Sequence, residues 1–120
     1  MSALAGKHIL LVEDEAIVAL MVEEMLTELG ATVVGPAATI ARGLSLADGA
    51  IDAAVLDVNV RNERIDPIAE KLRARQIPMV FATGYARGAV ETAGSAPIID
   101  KPYTREKLAA ALRRALAAEA

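Results

Sequence analysis

Cysteine is absent from the chain, which excludes disulfides, thiolate zinc sites and cysteine nucleophiles together, and with them any need for an oxidising compartment. Tryptophan is also missing, and Phe and Tyr bring the aromatics to only 2%. The core must therefore come from Val, Ile, Leu, Met and Ala, a mixture that suits helices packed on apolar strands. No apolar run approaches the roughly 18 residues of a membrane span, and no basic-then-apolar leader opens the chain. The reading is a soluble cytoplasmic protein without a membrane partner. Positive charge is not in surplus either. A net charge of −3 lacks the basic footprint that nucleic-acid binding requires.

What is present suffices for one compact domain over residues 1–120. At this length, with 54% hydrophobic residues, a chain buries roughly two-thirds of its unfolded surface without staples. Short apolar runs alternate with stretches of helical periodicity. His8 to Val12 reads as a strand buried on both faces, ending abruptly at Glu13-Asp14-Glu15. From Ala16 to Leu29 the residues Ile17, Val18, Met21, Val22, Met25, Leu26 and Leu29 recur at three and four, predicting a helix with that stripe on the core and Gly30 as its stop. Glu15 reads as a first-turn acid favoured by the helix dipole.

Thr32 to Gly35 is a weaker strand, after which Thr39 caps a helix carrying Ile40, Leu44 and Ala47. Ala53 to Asp57 is a third apolar strand, again ending in a carboxylate. Val58 to Ile65 reads as a loop, and Asp66-Pro67 opens a helix with Ile68, Ala69 and Leu72 inward. Met79 to Thr83 is a fourth strand. Gly84 to Ala96 has little periodicity, so any helix there is short or irregular. Pro97 to Asp100 is a fifth strand, and Thr104 caps a last helix with Leu108, Ala111, Leu112, Ala115 and Leu116 on its stripe. Strict alternation predicts an α/β fold: a doubly wound parallel sheet of five strands, helices on both faces and right-handed crossovers. Ligands of such folds sit outside the carboxyl ends of the strands.

Chemistry-bearing residues stand at those carboxyl ends. The first strand delivers Glu13 and Asp14, the third Asp57, the fourth Thr83, and the fifth leads into Lys101. Three carboxylates about 5 Å apart repel by roughly 3 kcal/mol per pair at an effective dielectric near 20. A hard divalent cation relieves this, and oxygen-only ligands favour Mg²⁺ or Mn²⁺ over zinc. Phosphoryl transfer is positioning plus neutralisation of the equatorial oxygens. The pattern assigns Asp57 as a carboxylate nucleophile, Asp14 and Asp57 to the metal, and Lys101 and the Thr83 hydroxyl to the remaining phosphoryl oxygens. His8, the one histidine, starts a strand far from this edge and reads as structural or solvated.

Glu13-Asp14, Asp57, Thr83 and Lys101-Pro102, in that order and strand context, resemble the response-regulator receiver family of two-component systems over about residues 7–116. The resemblance implies a flavodoxin-like fold with strand order 2-1-3-4-5. It implies phosphorylation by a sensor histidine kinase or a histidine phosphotransfer protein. Magnesium is expected on Asp14, Asp57 and the backbone carbonyl of Asn59, with Glu13 acting mainly through water, and a cis Lys101–Pro102 bond is expected. Many members carry an aromatic three residues before the lysine, where this chain has Ile98. An aromatic stands instead at Tyr85, two residues after Thr83, and is read with Thr83 as a switch element. The run Pro78-Met79-Val80-Phe81-Ala82-Thr83-Gly84-Tyr85 resembles the FAT GUY subgroup, often stand-alone regulators in alphaproteobacterial stress signalling, with Met79 where that subgroup commonly has an aromatic.

The function expected is a stand-alone phosphoacceptor, not an enzyme, whose phosphorylation changes its binding to a downstream protein. Two alternatives have different signatures. A receiver-like interaction module independent of phosphate has no need for Asp57, Thr83 and Lys101 together. An aspartate-nucleophile phosphatase wants a second acid two residues after the nucleophile as general acid, and that position is Asn59.

Overall fold

A computed structural model describes residues 4–84 and 93–118. The elements follow the expected alternation: β1 (His8–Val12), α1 (Ala16–Glu28), β2 (Thr32–Ala37), α2 (Ile40–Leu46), β3 (Ala53–Asp57), β4 (Asn59–Val60), β5 (Glu63–Arg64), α3 (Asp66–Ala74), β6 (Met79–Thr83), β7 (Ile98–Asp100) and α4 (Arg105–Ala118). The main sheet runs β2-β1-β3-β6-β7 with every neighbouring pair parallel, which is the expected order 2-1-3-4-5 once β4 and β5 are set aside.

Alternation along each strand divides the interior in two. Ile9 and Leu11 of β1 and Val55 of β3 join Val22 and Leu26 of α1 and Leu108 and Leu112 of α4. Leu10 and Val12 of β1 and Leu56 of β3 face the other way, onto Ile40 of α2 and Ile68 and Leu72 of α3. Residues of β3 and β6 are buried throughout because both faces of these central strands are covered. The side-chain caps arise where expected. The Thr39 hydroxyl accepts the Arg42 N–H at 3.1 Å, and that of Thr104 accepts the Lys107 N–H at 3.1 Å. Gly43 lets α2 lie against α3, since a Cβ there would collide with the Ile68 Cδ1.

Two expectations are corrected. Ile17 and Met21 do not face the core. The buried line of α1 is Ala19, Val22 and Leu26, and at 3.6 residues per turn Ile17 lies on roughly the opposite side. Ile17, Leu20 and Met21 are 76%, 56% and 49% exposed. The segment Val58 to Ile65 is not a plain loop. It contains the antiparallel ribbon β4–β5, with Asn59 opposite Arg64 and Val60 opposite Glu63, and buries Val58, Val60 and Ile65. The expectation of a short or irregular helix after Gly84 falls mostly outside the described residues. No helix among the described residues is long and apolar enough to cross a membrane.

Candidate functional site

Parallel pairing aligns the strand ends. Val12 of β1 pairs with Leu56, Asp57 of β3 with Ala82, and Thr83 of β6 with Asp100. Glu13, Asp57, Thr83 and Lys101 therefore emerge side by side at one edge of the sheet. Glu13, Asp57 and Thr83 are only 4%, 8% and 2% exposed. Carboxylate oxygens of Glu13, Asp14, Glu15 and Asp57 all lie within 4.8 Å of one another.

Lys101 enters from β7, its backbone N–H donating to the Thr83 carbonyl at 2.8 Å. Its ammonium stands 2.7 Å from Glu13 Oε1, 3.0 Å from Asp57 Oδ2 and 3.7 Å from Glu15 Oε1. The other Glu13 oxygen accepts the Glu15 N–H at 3.2 Å. Asp14 Oδ2 accepts the Arg61 N–H at 3.0 Å. The Lys101–Pro102 bond is cis, as the resemblance implies.

These contacts set the electrostatics. Burial pushes the Glu13 carboxyl up to about 7, more than the Lys101 ammonium pulls it down, and the neighbouring Asp57 adds to the rise. Burial acts against the Lys101 ammonium, but hydrogen bonds to Glu13 and Asp57 hold its pKa above the ordinary lysine value. Burial also works against the Asp14 carboxylate, yet the Arg61 N–H and nearby groups keep its pKa below the usual value. One half-buried ammonium thus serves more carboxylate than it can neutralise, and Glu13 tends to hold a proton in compensation. A hard divalent cation fits this donor set. Its ligands would be oxygens only, already gathered, with negative charge in excess.

The structure brings together Glu13, Asp14, Asp57 and Lys101, and it sets Thr83 beside them through β6. Asn59 follows in β4, two residues beyond Asp57 and exposed. Tyr85 lies outside the described residues. Ile98 pairs with Phe81 and packs partly buried on the α2–α3 side of the sheet. Three residues near the site were not assigned to it from the sequence. Glu15, expected only as a first-turn acid of α1, stands instead at the N-cap position with no side-chain cap bond, and it joins the carboxylate group. Tyr103 packs against the α1–α4 core, and burial, with the Glu13 charge, pushes its phenol up to about 12. Arg61 touches Asp14 through its main chain. The signal for Tyr103 was an aromatic directly after Lys101-Pro102 in a chain with two tyrosines.

Neither a protein-family model nor a curated protein matches the sequence. Solved structures do. SdrG from Sphingomonas melonis Fr1 is 45% identical over 99% of this chain and 98% of its own, with a TM-score of 0.76. A BeF3-activated conformation of SdrG matches at 45% identity, TM-score 0.77, over 97% of this chain and 99% of its own. A response regulator receiver protein from Sinorhizobium medicae WSM419 is 28% identical over 98% of this chain and all of its own, TM-score 0.86. The receiver domain of a sensor histidine kinase from Pseudomonas aeruginosa PAO1, with magnesium coordinated in its active-site cleft, is 27% identical over 94% of this chain and 99% of its own, TM-score 0.82.

Proposed function

The chain belongs to the response-regulator receiver family, and from that premise we propose that it accepts a phosphoryl group on Asp57 from a sensor histidine kinase or histidine phosphotransfer protein. The observation that carries this reading is the Lys101 ammonium held between Glu13 and Asp57 inside a ring of carboxylates. In the transfer, an Asp57 oxygen attacks phosphorus in line, the P–N bond of the phosphohistidine donor breaks, and the leaving imidazole takes up a proton. Lys101 neutralises one phosphoryl oxygen and the Thr83 hydroxyl donates to another. Asp14, Asp57 and the Asn59 carbonyl would hold a magnesium (or manganese) ion, with Glu13 acting on it mainly through water, and that ion would supply charge neutralisation.

Donor docking draws support from α1. Its exposed residues Ile17, Leu20 and Met21 begin three positions after Asp14 and form an apolar strip on the helix that leaves the site. The protein is a phosphoacceptor rather than a turnover enzyme. With Asn59 where a phosphatase would place its general acid, the acyl phosphate persists as a signal read by a downstream protein. Residues 7–116 form one cytoplasmic receiver unit of the FAT GUY type, with Thr83 and Tyr85 as switch elements.

Fluorine NMR with BeF₃⁻ tests the reading. Mg²⁺-dependent bound-fluoride signals are expected with the parent chain and none with Asp57→Asn. Signals that persist in Asp57→Asn would defeat the assignment.

A further inference from the structure

The ribbon β4–β5 turns through Arg61 and Asn62, both with left-handed backbones, φ 52° and 65°. Two-residue hairpins of this kind demand positive φ at both central positions. Asn62 accepts that conformation readily, because its short polar side chain bonds locally. Arg61 has no such excuse, and a strained backbone that persists is held by its surroundings. The surroundings are specific. Val60 and Ile65 root the ribbon in the core at 0% exposure. The Arg61 Nε donates to the Ala38 carbonyl at 3.1 Å, tying the turn to the segment between β2 and α2. The strained residue's own N–H then points at Asp14 Oδ2, 3.0 Å away and 47 positions distant in sequence.

We propose that Arg61 is a positioning residue for cation binding: its guanidinium anchors the ribbon so that its main-chain N–H helps to fix the Asp14 carboxylate in place for the ion. The inference rests on the reading of Asp14 as a cation ligand. Arg61 acts on the ion only through Asp14, in the manner of the hydrogen bonds that orient metal-binding side chains elsewhere. Charge alone makes the opposite prediction. A guanidinium beside a carboxylate cluster repels a divalent cation, so removing it should tighten binding if electrostatics were its whole effect.

Manganese titration of the full chain, read by the EPR signal of free Mn²⁺, separates the two. For Arg61→Ala the dissociation constant is expected to rise by about tenfold or more. Arg61→Gly adopts positive φ without strain and keeps the fold, yet loses the Ala38 anchor, so it is expected to weaken binding by a similar factor. Asp14→Asn serves as the reference. If the parent fails to bind Mn²⁺, or binds it equally well in Asp14→Asn, the metal reading itself fails. If Asp14→Asn weakens binding while both Arg61 variants bind as tightly as the parent or more so, only the role of Arg61 is overturned. A loss in Arg61→Ala that Arg61→Gly fully restores would likewise remove the guanidinium from the account.

Discussion

Two carboxylate groupings sit at opposite edges of the same sheet, and they differ in burial, in crowding and in the nitrogen that faces them. At the amino edge, His8 Nδ1 stands 3.7 Å from Asp52 Oδ2, each side chain a little under half exposed. At the carboxyl edge, Lys101 lies 2.7 Å from Glu13 and 3.0 Å from Asp57, with side-chain exposures of 16%, 4% and 10%. Water screens the first pair, which contributes little. In the second, burial amplifies both attraction and repulsion, and the charges do not balance. Ordinary folding provides no reason to gather three carboxylates round one ammonium. The proposed uptake of a cation and a phosphoryl group does.

Removing Lys101 should have the largest effect at the carboxyl edge. Lys101→Ala is expected to slow phosphorylation from acetyl phosphate on the order of 100-fold, as loss of a preorganised charge at a transferring group does. It should also destabilise the metal-free protein by about 3 kcal/mol in urea titrations, because buried carboxylates are left without a partner. Asp57→Asn should act the other way on stability. Relief of repulsion with Glu13 is expected to stabilise the metal-free fold by about 1 kcal/mol while abolishing phosphorylation.

The pH dependence sharpens the contrast. The Glu13 carboxyl is raised to about 7 from an ordinary 4.5, so between those values the folded state binds more protons than the unfolded one. Its contribution therefore falls as pH rises through that window, by about 1 kcal/mol once neighbouring charges are allowed for. Denaturation at pH 5 and pH 8 without metal should show this decline, and Glu13→Gln should flatten it. At the amino edge, Asp52→Asn should cost no more than about 1 kcal/mol, through the exposed bond from the His8 N–H, and leave phosphorylation unchanged.

The carboxyl edge was legible in the sequence because parallel strands share one direction. Once β1, β3, β6 and β7 are read as strands, their following residues must meet, so Asp14, Asp57 and Lys101 could be assembled without coordinates. The ribbon β4–β5 was not legible. Two-residue strands carry no period, and the fixing of Asp14 by a backbone N–H leaves no trace in side-chain identity. The phasing of α1 failed for a different reason. Its first half, Ala16 to Val22, is apolar throughout, so spacing at three and four fits several faces equally. Only the sheet decides that Ala19, Val22 and Leu26 go inward. The misassigned residues, Ile17 and Met21, lie on the exposed side of α1.

Acids from separate strands and Lys101 are proposed to form one phosphoryl-accepting centre. Intact-mass analysis after incubation with acetyl phosphate, followed by peptide mapping of the acyl phosphate, tests it most directly. One phosphoryl group per chain, mapped to Asp57 and formed only with Mg²⁺ present, is the predicted result. Modification at another residue, or at Asp57 with no dependence on the metal, would contradict it.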